Sequence, residues 1–150
     1  MRSLLLVALL LVGACNPVLS PDGPSSLTGT WTVQMSFSGV QQECQWFKGC
    51  WEQSLTCTGQ TTWTVEDDNS LGISGRQTGI LSCQGELTGA SEMDMNVEFG
   101  GDRKGNNLSI RLRGCIQFHG TMLTATTADG TVGGACGNWS PVGTWSATRN

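Results

Sequence analysis

Tyrosine is absent from the 150 residues, and histidine occurs once, at His119. General acid–base catalysis draws on histidine most often, then on carboxylates, lysine, tyrosine and cysteine. The carboxylates of this chain fall mostly at turns or on the polar face of alternating segments. No Gly-x-Ser-x-Gly elbow, His-Glu-x-x-His pair or phosphate-cradling glycine loop occurs. The sequence therefore reads as that of a protein without catalytic activity. A lone histidine is also a poor start for a metal site. Cys44, Cys50 and Cys57 are separated by five and six residues, where structural zinc sites use about two to four. No metal and no other cofactor is expected.

Charge is scarce as well, at 13% of residues. Residues 1–14 hold one of the 8 basic side chains, which leaves 7 against 12 acidic ones, a net charge of about −5 near neutral pH. Neither a basic patch nor a Lys/Arg stripe is present, which argues against nucleic acid as a partner. No apolar run reaches the roughly 20 residues of a membrane-spanning helix. No stretch holds a 3.6-residue apolar period over three turns.

What the chain does have begins at its N-terminus. Arg2, the apolar run Leu4 to Val12 and the small residues Gly13-Ala14 have the layout of a secretory signal peptide. Val12-Gly13-Ala14-Cys15 resembles the lipobox of bacterial lipoproteins. That resemblance implies cleavage after residue 14, diacylation of the Cys15 thiol and attachment to a membrane through the N-terminal lipid. Asn16 stands where inner-membrane lipoproteins usually carry Asp, so the resemblance implies the outer membrane of the cell envelope, facing the periplasm or the cell surface.

Seven cysteines is an odd number, which in an exported protein calls for an explanation. Assigning Cys15 to lipid leaves Cys44, Cys50, Cys57, Cys83, Cys115 and Cys136, an even set suited to disulfides in an oxidising compartment. Six cysteines allow about 15 pairings. The favoured set is Cys115–Cys136 across a late hairpin, Cys44–Cys50 closing an aromatic loop and Cys57–Cys83 tying two early strands, with at least one of these expected to fail.

Asn16 to Ser26 carries three of the four prolines and no apolar period, and reads as an extended, flexible tether spanning residues 15–26. Residues 27–150 then read as one domain of successive strands. Trp31, Val33, Met35 and Phe37 alternate with Thr32, Gln34 and Ser36, the period of a half-buried strand. Met93, Met95, Val97 and Phe99 alternate likewise, as do Leu108, Ile110 and Leu112. These two segments are expected to pair with GGDRKGNN as the connection and Phe99 opposite Leu108, which sets Asp94 against Arg113 and Asn96 against Arg111. Eight or nine strands in so short a domain suggest a sandwich or a closed barrel.

Two segments favour the barrel. Gly29-Thr30-Trp31 opens the first strand, and Gly143-Thr144-Trp145 begins the last, which ends near Arg149. A Gly-x-Trp opening with a late Arg resembles the signature shared by lipocalins, fatty-acid-binding proteins and avidins. The resemblance implies an all-β, antiparallel up-and-down barrel of about eight strands. It also implies that Trp31 closes one end with Arg149 over its ring, a cation–π pair. The later lipocalin motifs and the avidin ligand tyrosine are absent, so no ligand carries over.

Two functions fit such a domain. A barrel of this size either fills its interior with side chains or holds one small ligand. The first reading is therefore a lipid-anchored barrel binding a small apolar or amphipathic ligand among Met35, Phe37, Met93, Met95, Val97, Phe99 and Met122. The alternative is an envelope interaction protein, such as an inhibitor of a lysozyme or a protease. Its candidate partner loop is residues 41–51, where Trp46, Phe47, Lys48 and Trp51 lie within a cysteine frame. Exposed tryptophans there would serve as binding hot spots, whereas buried ones would plug a barrel mouth.

Overall fold

The computed structural model describes Pro24 and residues 26–69, 71–112 and 115–150, without the side chains of Glu43 and Gln45. Cys15, most of the expected tether and Arg113 lie outside these residues. The described residues form nine strands: β1 (Gly29–Gln45), β2 (Gly49–Asn69), β3 (Gly72–Gly85), β4 (Gly89–Asp94), β5 (Val97–Lys104), β6 (Asn107–Leu112), β7 (Ile116–Thr124), β8 (Thr127–Gly134) and β9 (Trp139–Arg149). No helix occurs among the described residues.

The strands form a single antiparallel sheet that closes on itself. Each strand pairs with its sequence neighbour or near neighbour, β9 returns to β1, and β2 pairs with β3. β4 and β5 share one place on the ring. Both pair with β3, and Ile80↔Asp94 and Gln77↔Val97 keep one register across the interruption at Met95 and Asn96. At that break the Asn96 N–H donates to Asp94 Oδ1 at 2.8 Å, and the Met95 N–H donates to the Gly79 carbonyl at 2.9 Å. Nine strands thus occupy eight places in an up-and-down barrel.

Period-two alternation decides which residues face inward. Trp31, Val33, Met35 and Phe37 of β1 are buried, while the intervening threonine, glutamine and serine side chains face outward. Trp63 of β2 sits at the centre, its ring 5.6 Å from Phe99, 5.3 Å from Phe118 and 5.2 Å from Trp145 between centroids. Its indole N–H donates to Oε1 of the fully buried Gln77 at 2.8 Å, which satisfies a polar pair that would be costly to bury alone. Glycines make room for these rings. A Cβ at Gly75 would come within 2.7 Å of the Phe99 ring and 2.2 Å of the Thr64 carbonyl, and one at Gly120 within 2.4 Å of the Trp145 ring.

The β5–β6 hairpin differs from the sequence expectation. Phe99 pairs with Leu112 and Gly100 with Arg111, a shift of four residues from the expected Phe99–Leu108 register. Gly100 to Lys104 belongs to the strand, and the reversal is the two-residue turn Gly105-Asn106. Gly105 has φ of 59°, the left-handed conformation that two-residue hairpin turns need and that matches strand twist. Because the shift is even, every apolar residue keeps its inward face. The expected opposition of Asn96 to Arg111 does not form.

Strand direction gives the barrel two unlike poles. One gathers residues 24–28, the β2–β3, β5–β6 and β7–β8 turns and the chain's C-terminus. At the other, β1 and β2 run on past β6, which stops at Leu112. There they form a projecting hairpin whose reversal is Gln45 to Gly49.

Candidate functional site

The first pole is sealed. Trp31 pairs with Arg149 across β1 and β9, and the Arg149 guanidinium carbon lies 5.8 Å from the centre of the Trp31 ring. The Trp31 indole N–H donates to the Leu27 carbonyl at 2.8 Å. Arg149 also donates to the Ser26 carbonyl at 3.3 Å and to that of Thr28. A second arginine completes the clasp. Arg103 Nε lies 3.0 Å from Oδ1 of Asp68, whose side chain is 2% exposed. Asp68 Oδ2 in turn accepts the Leu27 N–H at 2.7 Å, and Arg103 donates to the Pro24 carbonyl at 2.5 Å. The segment 24–28 is therefore strapped across the barrel end by two arginines drawn from distant strands.

The interior is filled. An apolar void inside the barrel measures about 20 Å³ and is lined by Trp31, Trp63, Ile110 and Trp145 among others. A site for a small organic molecule runs to about 300–1,000 Å³. Of the interior candidates, Met35, Phe37, Met95, Phe99 and Met122 are buried in the core, while Met93 and Val97 are half-buried against it.

The six described cysteines form three disulfides, Cys44–Cys50, Cys57–Cys83 and Cys115–Cys136. All three coincide with the favoured pairs. Cys57 and Cys83 are directly opposed on β2 and β3 and buried inside the barrel. Cys115–Cys136 links the β6–β7 turn to the β8–β9 connection. Cys44 and Cys50 are opposed on β1 and β2 and exposed, one residue pair short of the hairpin reversal.

That reversal carries Trp46 and Phe47, each 93% exposed. They do not plug the barrel mouth. Trp51 does not share the tip; it is half-buried on β2, opposite Glu43. The mouth is instead packed by Trp139, whose ring meets that of Phe37 in a tilted contact with centroids 5.7 Å apart. The Gln42 N–H donates to the Asn138 carbonyl at 3.0 Å, which ties this connection to the root of the hairpin. Sequence reading passed over Trp139 because the turn signals of Gly137-Asn138 mask its strand partner Gln41.

His119 lies exposed on the outer face of β7, 3.2 Å from Gln117 Oε1. The register places Asp102, Ser109 and His119 in one row across β5, β6 and β7. The histidine stands at the end of that row and not between the acid and the hydroxyl, so the row lacks the relay order of a nucleophilic triad. The chemistry presented most forcefully by the surface is the aromatic pair at the tip. No family model matches this chain, and no curated protein or solved structure matches it.

Proposed function

We propose that this protein is a lipid-anchored, non-catalytic component of the bacterial cell envelope that binds a protein partner through the tip of its β1–β2 hairpin. The carrying observation is the pair Trp46 and Phe47, both 93% exposed on a reversal closed by the Cys44–Cys50 disulfide. Leaving two large aromatic side chains in water forgoes about 1.5–3 kcal/mol each. Aromatics of this kind are the residues that dominate interface energetics. The disulfide holds the reversal in one shape, which reduces the ordering cost at binding. The filled interior supports this surface reading over a small apolar or amphipathic ligand held within the barrel.

The lipobox-like Val12-Gly13-Ala14-Cys15 supports the anchor, with Asn16 supporting the outer membrane. An inhibitor of a lysozyme or a protease is one role that such a tip would serve. The test combines an envelope pull-down with native mass spectrometry of the purified protein. Wild type retains a protein that the Trp46→Ala/Phe47→Ala variant loses. A partner retained by both, or a stoichiometric small apolar molecule carried by both, would sink the proposal. The anchor is tested separately: Cys15→Ser abolishes processing and moves the protein to the aqueous phase of a detergent partition.

A further inference from the structure

The tip sits in a particular electrostatic setting and at a particular distance from the anchor end. β1 has 17 residues, which at about 3.3 Å per residue separates its ends by roughly 50 Å along the strand. Barrel tilt reduces that to about 40 Å along the axis. The chain enters at the clasped pole, where Pro24, Ser26 and Leu27 are held by Arg103, Arg149 and Asp68. The tip therefore points away from the end that joins the tether.

Below the tip, on the β2–β3–β4 side, Glu52, Glu86, Glu92 and Asp94 all face solvent. Glu86 is brought up to β2 by its backbone N–H, which donates to the Ser54 carbonyl at 3.3 Å. Lys48 is the one basic residue between positions 41 and 75. The projecting end is thus an aromatic point above an acidic flank. Leu87, also exposed, adds apolar surface at the β3–β4 turn beside that flank.

Resting on the tip-binding reading above, we infer that the partner is a protein with an apolar cleft rimmed by basic side chains, met on the side of the barrel away from the anchor. The cleft takes Trp46 and Phe47; the basic rim faces Glu52 and Glu86. Charge complementarity of this sort steers encounter and rejects wrong partners. It disfavours two other occupants of the tip. An anionic bilayer would accept the aromatics at its interface but repel the flank, since cytoplasmic-type surfaces attract basic and not acidic segments. A second copy of this chain would bring two acidic flanks together.

The test uses the full-length chain in the cells that make it, with the photo-crosslinker p-benzoylphenylalanine at position 47 and, as control, at position 71. Leu71 is equally exposed but lies at the clasped pole. The expected result is a discrete protein adduct from position 47 and not from 71. Its crosslinked peptide carries flanking Lys or Arg, and its yield falls about tenfold or more when Glu52→Lys and Glu86→Lys are added. Unchanged thermal melting of the charge-reversed variant excludes misfolding as the cause. A protein adduct insensitive to charge reversal overturns this inference and leaves the tip reading standing. A lipid adduct, or a crosslinked pair of this chain, overturns both the partner class and its charge argument. No adduct from position 47 overturns the tip reading, and this inference with it.

Discussion

At the clasped pole, a buried tryptophan, two arginines and a nearly buried aspartate are joined by a cation–π contact from β1 to β9 and by hydrogen bonds from residues 24–28 to β2, β5 and β9. At the opposite pole, two aromatics stand in water on a reversal held by one short-range disulfide. The same residue type, tryptophan, is spent on cohesion at one end and on exposure at the other. The difference shows which end of the molecule holds the fold together and which stands apart from the core. Removing clasp residues removes core; removing tip residues removes almost nothing that the fold uses.

The largest expected effect is at the clasp. Trp31→Ala lowers unfolding free energy by about 3–5 kcal/mol, the range for a buried large aromatic. Denaturant melts check this, and a variant as stable as the parent would show that the pole is not sealed by Trp31. The disulfides sharpen the contrast next. Loop-closure entropy gives about 3.5 kcal/mol for the 26-residue separation of Cys57 and Cys83 and about 2.2 kcal/mol for the 6-residue separation of Cys44 and Cys50. Paired Cys→Ala variants measured without reductant should therefore rank in that order, with an added cavity cost for the buried pair. A larger loss from the tip disulfide would mean that the projecting hairpin belongs to the core.

Smaller still is the coupling between Trp31 and Arg149. Their stacking is worth about 0.5–2 kcal/mol, and residues in contact are non-additive. The double-mutant cycle of Trp31→Ala and Arg149→Ala should show an interaction of that size, and strict additivity would dissolve the pair. The smallest effect closes the comparison. Trp46→Ala and Phe47→Ala should each change stability by less than about 0.5 kcal/mol, as exposed substitutions do. A loss above 1 kcal/mol by calorimetry, beyond the usual surface range, would return the tip aromatics to a structural role.

Much of the barrel was legible because alternation is a local property. The inward set Trp31, Val33, Met35 and Phe37 could be read from residue order alone. The cysteine pairing could not, and the expectation that at least one favoured pair would fail is overturned: all three form, since each joins segments brought together by hairpins. The pairing of first and last strands was hinted at by the two Gly-Thr-Trp segments and is realised as Trp31↔Arg149 and Met35↔Trp145. The β5–β6 register was not legible, because Gly-Gly and Gly-Asn both read as turns and alternation tolerates any even shift. Nor was the Arg103–Asp68–Leu27 clasp, whose members lie 35 and 41 residues apart. No local pattern marks such a contact.

The candidate site divides in the same way. The sequence by itself determined that Trp46 and Phe47 lie in a cysteine frame, that the domain is all-β, and that its strands have one apolar face each. Only the tertiary structure decided that those two rings leave the barrel while Trp51 turns back toward it, and that Trp139 closes the mouth. The physical reason is that alternation assigns a side chain to a face without saying where along the barrel the strand outruns its neighbours. β1 and β2 outrun β6, so residues at their reversal have no facing sheet to bury them.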